Sequence, residues 1–192
     1  MSSPATQFLR HTRSASLPPV IAVVGVESTG KTTLARALAE RLGRRYVPEV
    51  ARSWLERRGP RYEEADLLAI AREQWAAERE ALADGPVVAD TDLLVIELWS
   101  LVRFGRCATW IRRRRRERTA AHYLLPAPDL PWEADPLRSL PELRARTVLH
   151  RRYRLALRRQ QHPATEIAGV GDARLRAALR ALGIRRPASG AR

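Results

Sequence analysis

Val20-Ile21-Ala22-Val23-Val24-Gly25-Val26-Glu27-Ser28-Thr29-Gly30-Lys31-Thr32-Thr33-Leu34 decides the fold. Its first five residues are β-branched except Ala22 and are bounded by Pro19 and Gly25, as in a buried strand. From Lys31 onward Leu34, Leu38 and Leu42 recur every fourth residue until Gly43, which predicts an amphipathic helix over 31–42. Between strand and helix, Gly25 to Thr32 fits the pattern G-x-x-x-x-G-K-[ST]. Gly25 and Gly30 permit backbone conformations that aim successive N–H groups at a phosphate, and the helix N-terminus adds its dipole. The expected contacts to the phosphates of ATP are Gly25, Glu27, Ser28, Thr29, Gly30, Lys31, Thr32 and Thr33. Lys31 would reach the β- and γ-phosphates, and the Thr32 hydroxyl would ligate Mg²⁺.

Outward from this stretch, strands are expected over 45–48 and 87–89, the latter running into Asp90, with further strands over 123–125 and 166–168. Helices are expected over 50–58, 63–83, 92–104 and 142–161, with a last one on Leu175, Leu179 and Leu182. The helix after Asp92 is apolar almost all round, which predicts an interior position. The arginine-rich run over 109–119 is expected to face solvent. Five prolines between Pro126 and Pro141 forbid regular structure and predict a stiff loop, read as a lid or substrate loop. Strands alternating with helices predict an α/β fold of the P-loop NTPase kind: three layers, α/β/α, around a five-stranded parallel sheet, nucleoside-kinase-like. The expected organisation is one domain over 19–184, a disordered leader over 1–18 and a disordered tail over 185–192.

The chain has 192 residues, 45% hydrophobic and 29% charged, which suits one folded domain. No apolar run approaches the roughly 20 residues of a bilayer span. The single cysteine, Cys107, excludes an internal disulfide and fits a reducing cytoplasm. A net charge of +14 would ordinarily suggest a nucleic-acid partner. Lys31 is the only lysine, however, and the chain has no asparagine, a bias that reads as genomic, with arginine filling solvated surface positions. The one lysine kept is then the one that arginine cannot replace.

Two strand-end acids extend the site. Asp90 ends Val87-Val88-Ala89-Asp90 as a carboxylate able to hold Mg²⁺, with Asp92 or Thr91 left to cap the next helix. Glu49 ends Val47-Pro48-Glu49 at the sheet edge where open α/β folds bind ligands, placed to accept a proton from a phosphoryl acceptor.

With these blocks in place, the chain resembles the nicotinamide riboside kinase domain of the NadR family, a P-loop kinase group also grouped with AAA-type ATPases. The likeness runs through Val47-Pro48-Glu49-Val50-Ala51-Arg52, Asp66-Leu67-Leu68-Ala69-Ile70-Ala71 with Gln74, and Ala89-Asp90-Thr91-Asp92. It continues through Trp99, Phe104-Gly105-Arg106, Pro128-Asp129-Leu130-Pro131-Trp132 and Asp135-Pro136-Leu137-Arg138. The resemblance implies an ATP- and Mg²⁺-dependent kinase acting on the 5′-hydroxyl of a nucleoside, nicotinamide riboside first. It implies Lys31, Glu49, Asp90 and Arg138 as catalytic residues, Thr32 and Asp90 as Mg²⁺ ligands, and Glu49, Arg52, Asp92, Trp99 and Trp132 as substrate contacts. Trp132 and Trp99 are the candidates to stack on a pyridinium ring, with a core role favoured for Trp99. No His-x-Gly-His adenylyltransferase signature occurs in the 192 residues. A kinase for another acceptor such as a deoxynucleoside is the rival enzyme. Arg112 to Arg116 carry the non-enzyme alternative, a nucleotide-dependent nucleic-acid-binding or regulatory module. The sequence leaves the oligomeric state open.

Overall fold

The computed structural model describes residues 17–117, 121–137, 140–159 and 162–184. Residues 1–16 of the expected leader over 1–18, the tail over 185–192 and Arg138 lie outside the described residues. Five strands, β1 (Val20–Val23), β2 (Arg45–Val47), β3 (Val87–Asp90), β4 (Ala121–Pro126) and β5 (Ala164–Ile167), form one sheet in the order β2-β3-β1-β4-β5, every pair parallel. Seven helices accompany them: α1 (Lys31–Leu42), α2 (Val50–Arg58), α3 (Glu64–Ala83), α4 (Leu93–Phe104), α5 (Thr109–Glu117), α6 (Leu143–Arg159) and α7 (Gly171–Ala181).

The period-2 alternation of β1 assigns the layers. Ile21 and Val23 pack with Leu34 and Leu38 of α1 and Ala178 of α7. Val20 and Ala22 face the other way, against Ala81 of α3, Leu94 and Leu98 of α4, and Tyr153 and Leu157 of α6. A third cluster joins Trp54 of α2, Ile70 of α3, Ile96 of α4 and Ile111 of α5. The chain crosses from β1 to β2 on one side and from β3 to β4 on the other, so the sheet has its topological switch beside β1. That is where ligands bind in such sheets.

Three expectations are corrected. β4 starts at Ala121 and ends at Pro126, and β5 begins at Ala164. Pro126 is tolerated because it is the last residue of its strand. The run over 109–119 is not wholly solvent-facing: Ile111 and Arg115 are buried, because α5 packs one face on α4 and the Arg115 guanidinium meets Glu97 there. Nor is α4 wholly interior. Leu101 and Val102 are exposed, and Val102 borders an open cleft together with Val95 and Trp99, which also pack on the core.

Candidate active site

The phosphate-binding loop leaves β1 at the switch point. Gly25, at φ 143°, could not carry a side chain without strain, and a Cβ there would lie 3.2 Å from Leu125 Cδ1. Ser28 (φ 55°) and Gly30 (φ 71°) turn the loop, which is laced internally by Thr29 Oγ1 and Lys31 Nζ, donating to Val26 O at 2.8 and 2.9 Å. Helix α1 starts at Lys31. All eight residues expected at the phosphates line one cleft of about 660 Å³.

Glu49 lines the same cleft. It occupies the N-cap position of α2 without capping it through its side chain. Buried Gln74 of α3 does that work instead: its amide oxygen accepts from Val50 N at 2.9 Å and its nitrogen donates to Pro48 O at 3.1 Å. The start of α2 is thus bonded by Gln74, while Glu49 stands at the cleft wall. Tyr153 of α6, also at the cleft, has its phenol pKa raised by burial and by the field of Glu49, Asp92 and Glu27, so it stays neutral beside these acids.

Asp90 sits in register with Val23 at the C-terminal end of the sheet, 1% exposed. Its Oδ2 accepts from Tyr46 OH at 3.1 Å, and burial with the Asp90 charge pushes the Tyr46 phenol up to about 12. Asp90 Oδ1 is buried with no hydrogen-bond partner among the described residues. Such an orphaned acceptor suits a cation or its water. Thr91 holds a positive φ of 81° immediately after it, local strain of the kind that collects at working sites.

The remaining expected residues divide. Arg52 lines the cleft, but its guanidinium is tied to Asp135 of the proline-rich loop at 2.6 Å and to Glu56 at 3.4 Å. Trp99 lines the cleft and donates from Nε1 to Tyr62 OH at 2.6 Å, the two rings meeting edge to face at 4.8 Å. Asp92 is enclosed rather than facing an acceptor. Its Oδ1 caps α4 through Leu94 N at 2.9 Å, its Oδ2 accepts from Tyr123 OH at 2.8 Å, and burial pushes its pKa up to about 6. Trp132 is not among the lining residues; the Arg146 guanidinium covers its ring at 5.7 Å. Of the two tryptophans expected at the substrate, Trp99 lines the cleft while also packing on the core, as favoured for it, and Trp132 does not line it. Tyr62, Gln74 and Tyr153 were missed as site residues, and only Gln74, a polar residue on an apolar helix face, carried a signal that could have found it.

The AAA domain model matches residues 20–184. The chain belongs to the AAA domain family. Its fold is also that of a NadR protein solved in complex with NR, at a TM-score of 0.67 and 20% identity, covering 90% of this chain and 54% of that one. A NadR protein in complex with NAD and AMP-PNP gives 0.68 and 19%, over 88% and 50%. The chain thus spans about half the length of these NadR chains. A thymidylate kinase from Ehrlichia chaffeensis gives 0.57 and 15%, over 79% and 87%. No curated protein matches in sequence. Among the described residues no helix is long and apolar enough to cross a membrane.

Proposed function

We propose that this AAA domain is a cytoplasmic kinase over 19–184 that transfers the γ-phosphoryl group of ATP to the 5′-hydroxyl of a nucleoside, nicotinamide riboside first. The observation that carries the reading is the position of Glu49: a carboxylate just past the end of β2 that lines the same cleft as Lys31 and the phosphate-binding loop, with Gln74 bonding the first N–H of α2. A loop that only switched on nucleotide would need no acid there.

In the reaction the acceptor oxygen bonds to the γ-phosphorus, the bond to the β-phosphate oxygen breaks, ADP leaves, and the hydroxyl proton passes to Glu49. Lys31 and the loop N–H groups hold the phosphates as charge develops. Among the described residues no cluster of three or more His, Cys, Asp or Glu could hold a metal by itself. The orphaned Asp90 Oδ1 and the Thr32 hydroxyl fit Mg²⁺ that takes its other ligands from phosphates and water. When bound, Mg²⁺ neutralises phosphate charge. Arg138 remains the proposed lid cation on the strength of the resemblance.

Trp99 and Tyr62 supply an aromatic wall of the kind that suits a cationic ring. The decisive assay is ADP release with nicotinamide riboside, deoxynucleosides and no acceptor, with the product identified by mass spectrometry. Nicotinamide mononucleotide as the preferred product supports the proposal. Preferred turnover of a deoxynucleoside moves the chain to the rival acceptor class. ATP consumption indifferent to every nucleoside, together with salt-resistant nucleic-acid binding, overturns the enzyme reading.

A further inference from the structure

We propose that Arg174 is a positioning residue of the phosphate-binding loop: it fixes the Thr29–Gly30 peptide so that the Gly30 N–H faces the phosphates. This inference rests on the nucleotide-binding part of the reading above.

Helix α7 carries three arginines. Arg176 and Arg180 are exposed, whereas Arg174 is 4% exposed. Its guanidinium is shared by three segments that are far apart in sequence. Nε donates to Gly169 O at 2.5 Å in the turn between β5 and α7, one terminal nitrogen donates to Thr29 O, and the other donates to the Asp129 carboxylate. Asp129 closes the ring by accepting from Gly169 N at 2.8 Å.

The Thr29 carbonyl is the informative partner. A trans peptide places its C=O and N–H on opposite sides, so holding Thr29 O toward α7 turns the Gly30 N–H away from α7. Gly30 lines the cleft, and a Cβ built on it would lie 3.7 Å from Arg174 Nη1 and 3.1 Å from Leu130 Cδ1. Gly30 therefore packs on Arg174 and Leu130 where a side chain would stand, while the residue itself lines the cleft. Glycine by itself does not hold one orientation of this peptide, since both signs of φ are open to it. The rigid fork of Arg174 supplies the missing constraint, and a lysine cannot reproduce it. The guanidinium is neutralised by Asp129, so its effect is orientation more than added charge. Because Leu130, next to Asp129, lines the cleft, the same fork fixes the start of the proline-rich loop against the phosphate site.

The test measures binding of ATP and of inorganic tripolyphosphate by calorimetry to the full chain, together with KM for ATP, kcat and Tm. The variants are Arg174→Met, Arg174→Lys and Asp129→Asn, with Arg176→Met as control. Arg174→Met should weaken ATP and tripolyphosphate by the same factor, about 10- to 100-fold, the range for a hydrogen bond from a charged donor. KM should rise accordingly while kcat at saturating ATP changes far less. Arg174→Lys should recover only part of the loss, Asp129→Asn should shift both ligands in the same direction, and Arg176→Met should match wild type. Amide exchange at Gly30 should quicken in Arg174→Met. Unchanged tripolyphosphate affinity, even with a lowered Tm, overturns the proposal; if Arg174→Met does not fold, the lysine and Asp129→Asn variants decide it alone. A wild-type chain that binds neither ATP nor tripolyphosphate refutes the nucleotide reading instead.

Discussion

Replacing Arg115 by Met should destabilise the fold by about 3 to 5 kcal/mol, far more than any other change in the five-arginine run. The magnitude follows from burial: the side chains of Arg115 and Glu97 are each only 10% exposed and are joined through Arg115 Nε. Without the guanidinium, the Glu97 carboxylate stays between α4 and α5 with its charge uncompensated. At about 2 to 4 °C per kcal/mol for a chain of this size, Tm should fall by roughly 6 to 20 °C. The control is Arg112, Arg113 and Arg116 together changed to Gln, all exposed, for which about 0.5 kcal/mol per site is the ordinary limit. A third protein, Glu97→Gln with Arg115→Met, removes both charges. It should regain most of the loss, the more so because one Arg115 terminal nitrogen is already buried without a hydrogen-bond partner among the described residues. Urea denaturation monitored by far-UV circular dichroism gives all three values. If Arg115→Met matches the triple Gln variant, α5 is solvated all round and the helix packing described above is wrong.

Lys31→Arg should retain the fold while losing about 10²- to 10³-fold in turnover, the cost of one phosphate-stabilising donor; near wild-type ADP release would contradict the role given to Lys31. Glu49→Gln should lower kcat much more than it weakens ATP, whereas Asp90→Asn should raise the Mg²⁺ concentration needed for half-maximal rate. An intact kcat in the first and a loss at every Mg²⁺ level in the second would exchange the two roles. Asp92, pushed up to about 6 against about 3.9 in the unfolded chain, binds its proton more tightly when folded, so its contribution is present in full below pH 4 and is lost as pH rises through 6. The difference amounts to about 3 kcal/mol. Asp92→Asn, which keeps an acceptor for Leu94 N, should be relatively more stable than wild type at pH 7.5 than at pH 4, and an identical pH profile by urea denaturation would refute this.

Legibility divided along a physical line. The phosphate-binding loop, the helix starts and the sheet were readable because their signals are local: β-branched runs, leucines every fourth residue, glycines where only glycine fits. Gln74 and Asp92 show where local reading stops. Asp92 was legible as a cap of α4, but that its other oxygen meets buried Tyr123, and that Gln74 bonds the start of α2, depends on what the fold brings opposite each. Arg115 and Arg174 were harder still. In a chain where 34 of 35 basic residues are arginine, a buried guanidinium carries no compositional mark.

The proline-rich loop shows what tertiary context adds. Its sequence forbade regular structure and suggested a stiff lid or substrate loop, and among the described residues the fold ties it at three or more separated points. Asp129 joins Arg174 and Gly169, Asp135 joins Arg52 of α2, and Leu140 N donates to Glu27 of the phosphate-binding loop. Two of these ties reach the phosphate loop, one directly and one through Arg174 to Thr29. The third reaches the wall that carries Glu49. A shift of the loop must therefore disturb the phosphate cradle and the Glu49 wall together, which would give the two halves of the proposed phosphoryl transfer a common mechanical frame. Proline suits that task better than flexibility does, since a segment with few accessible conformations loses little entropy when its three ties are made.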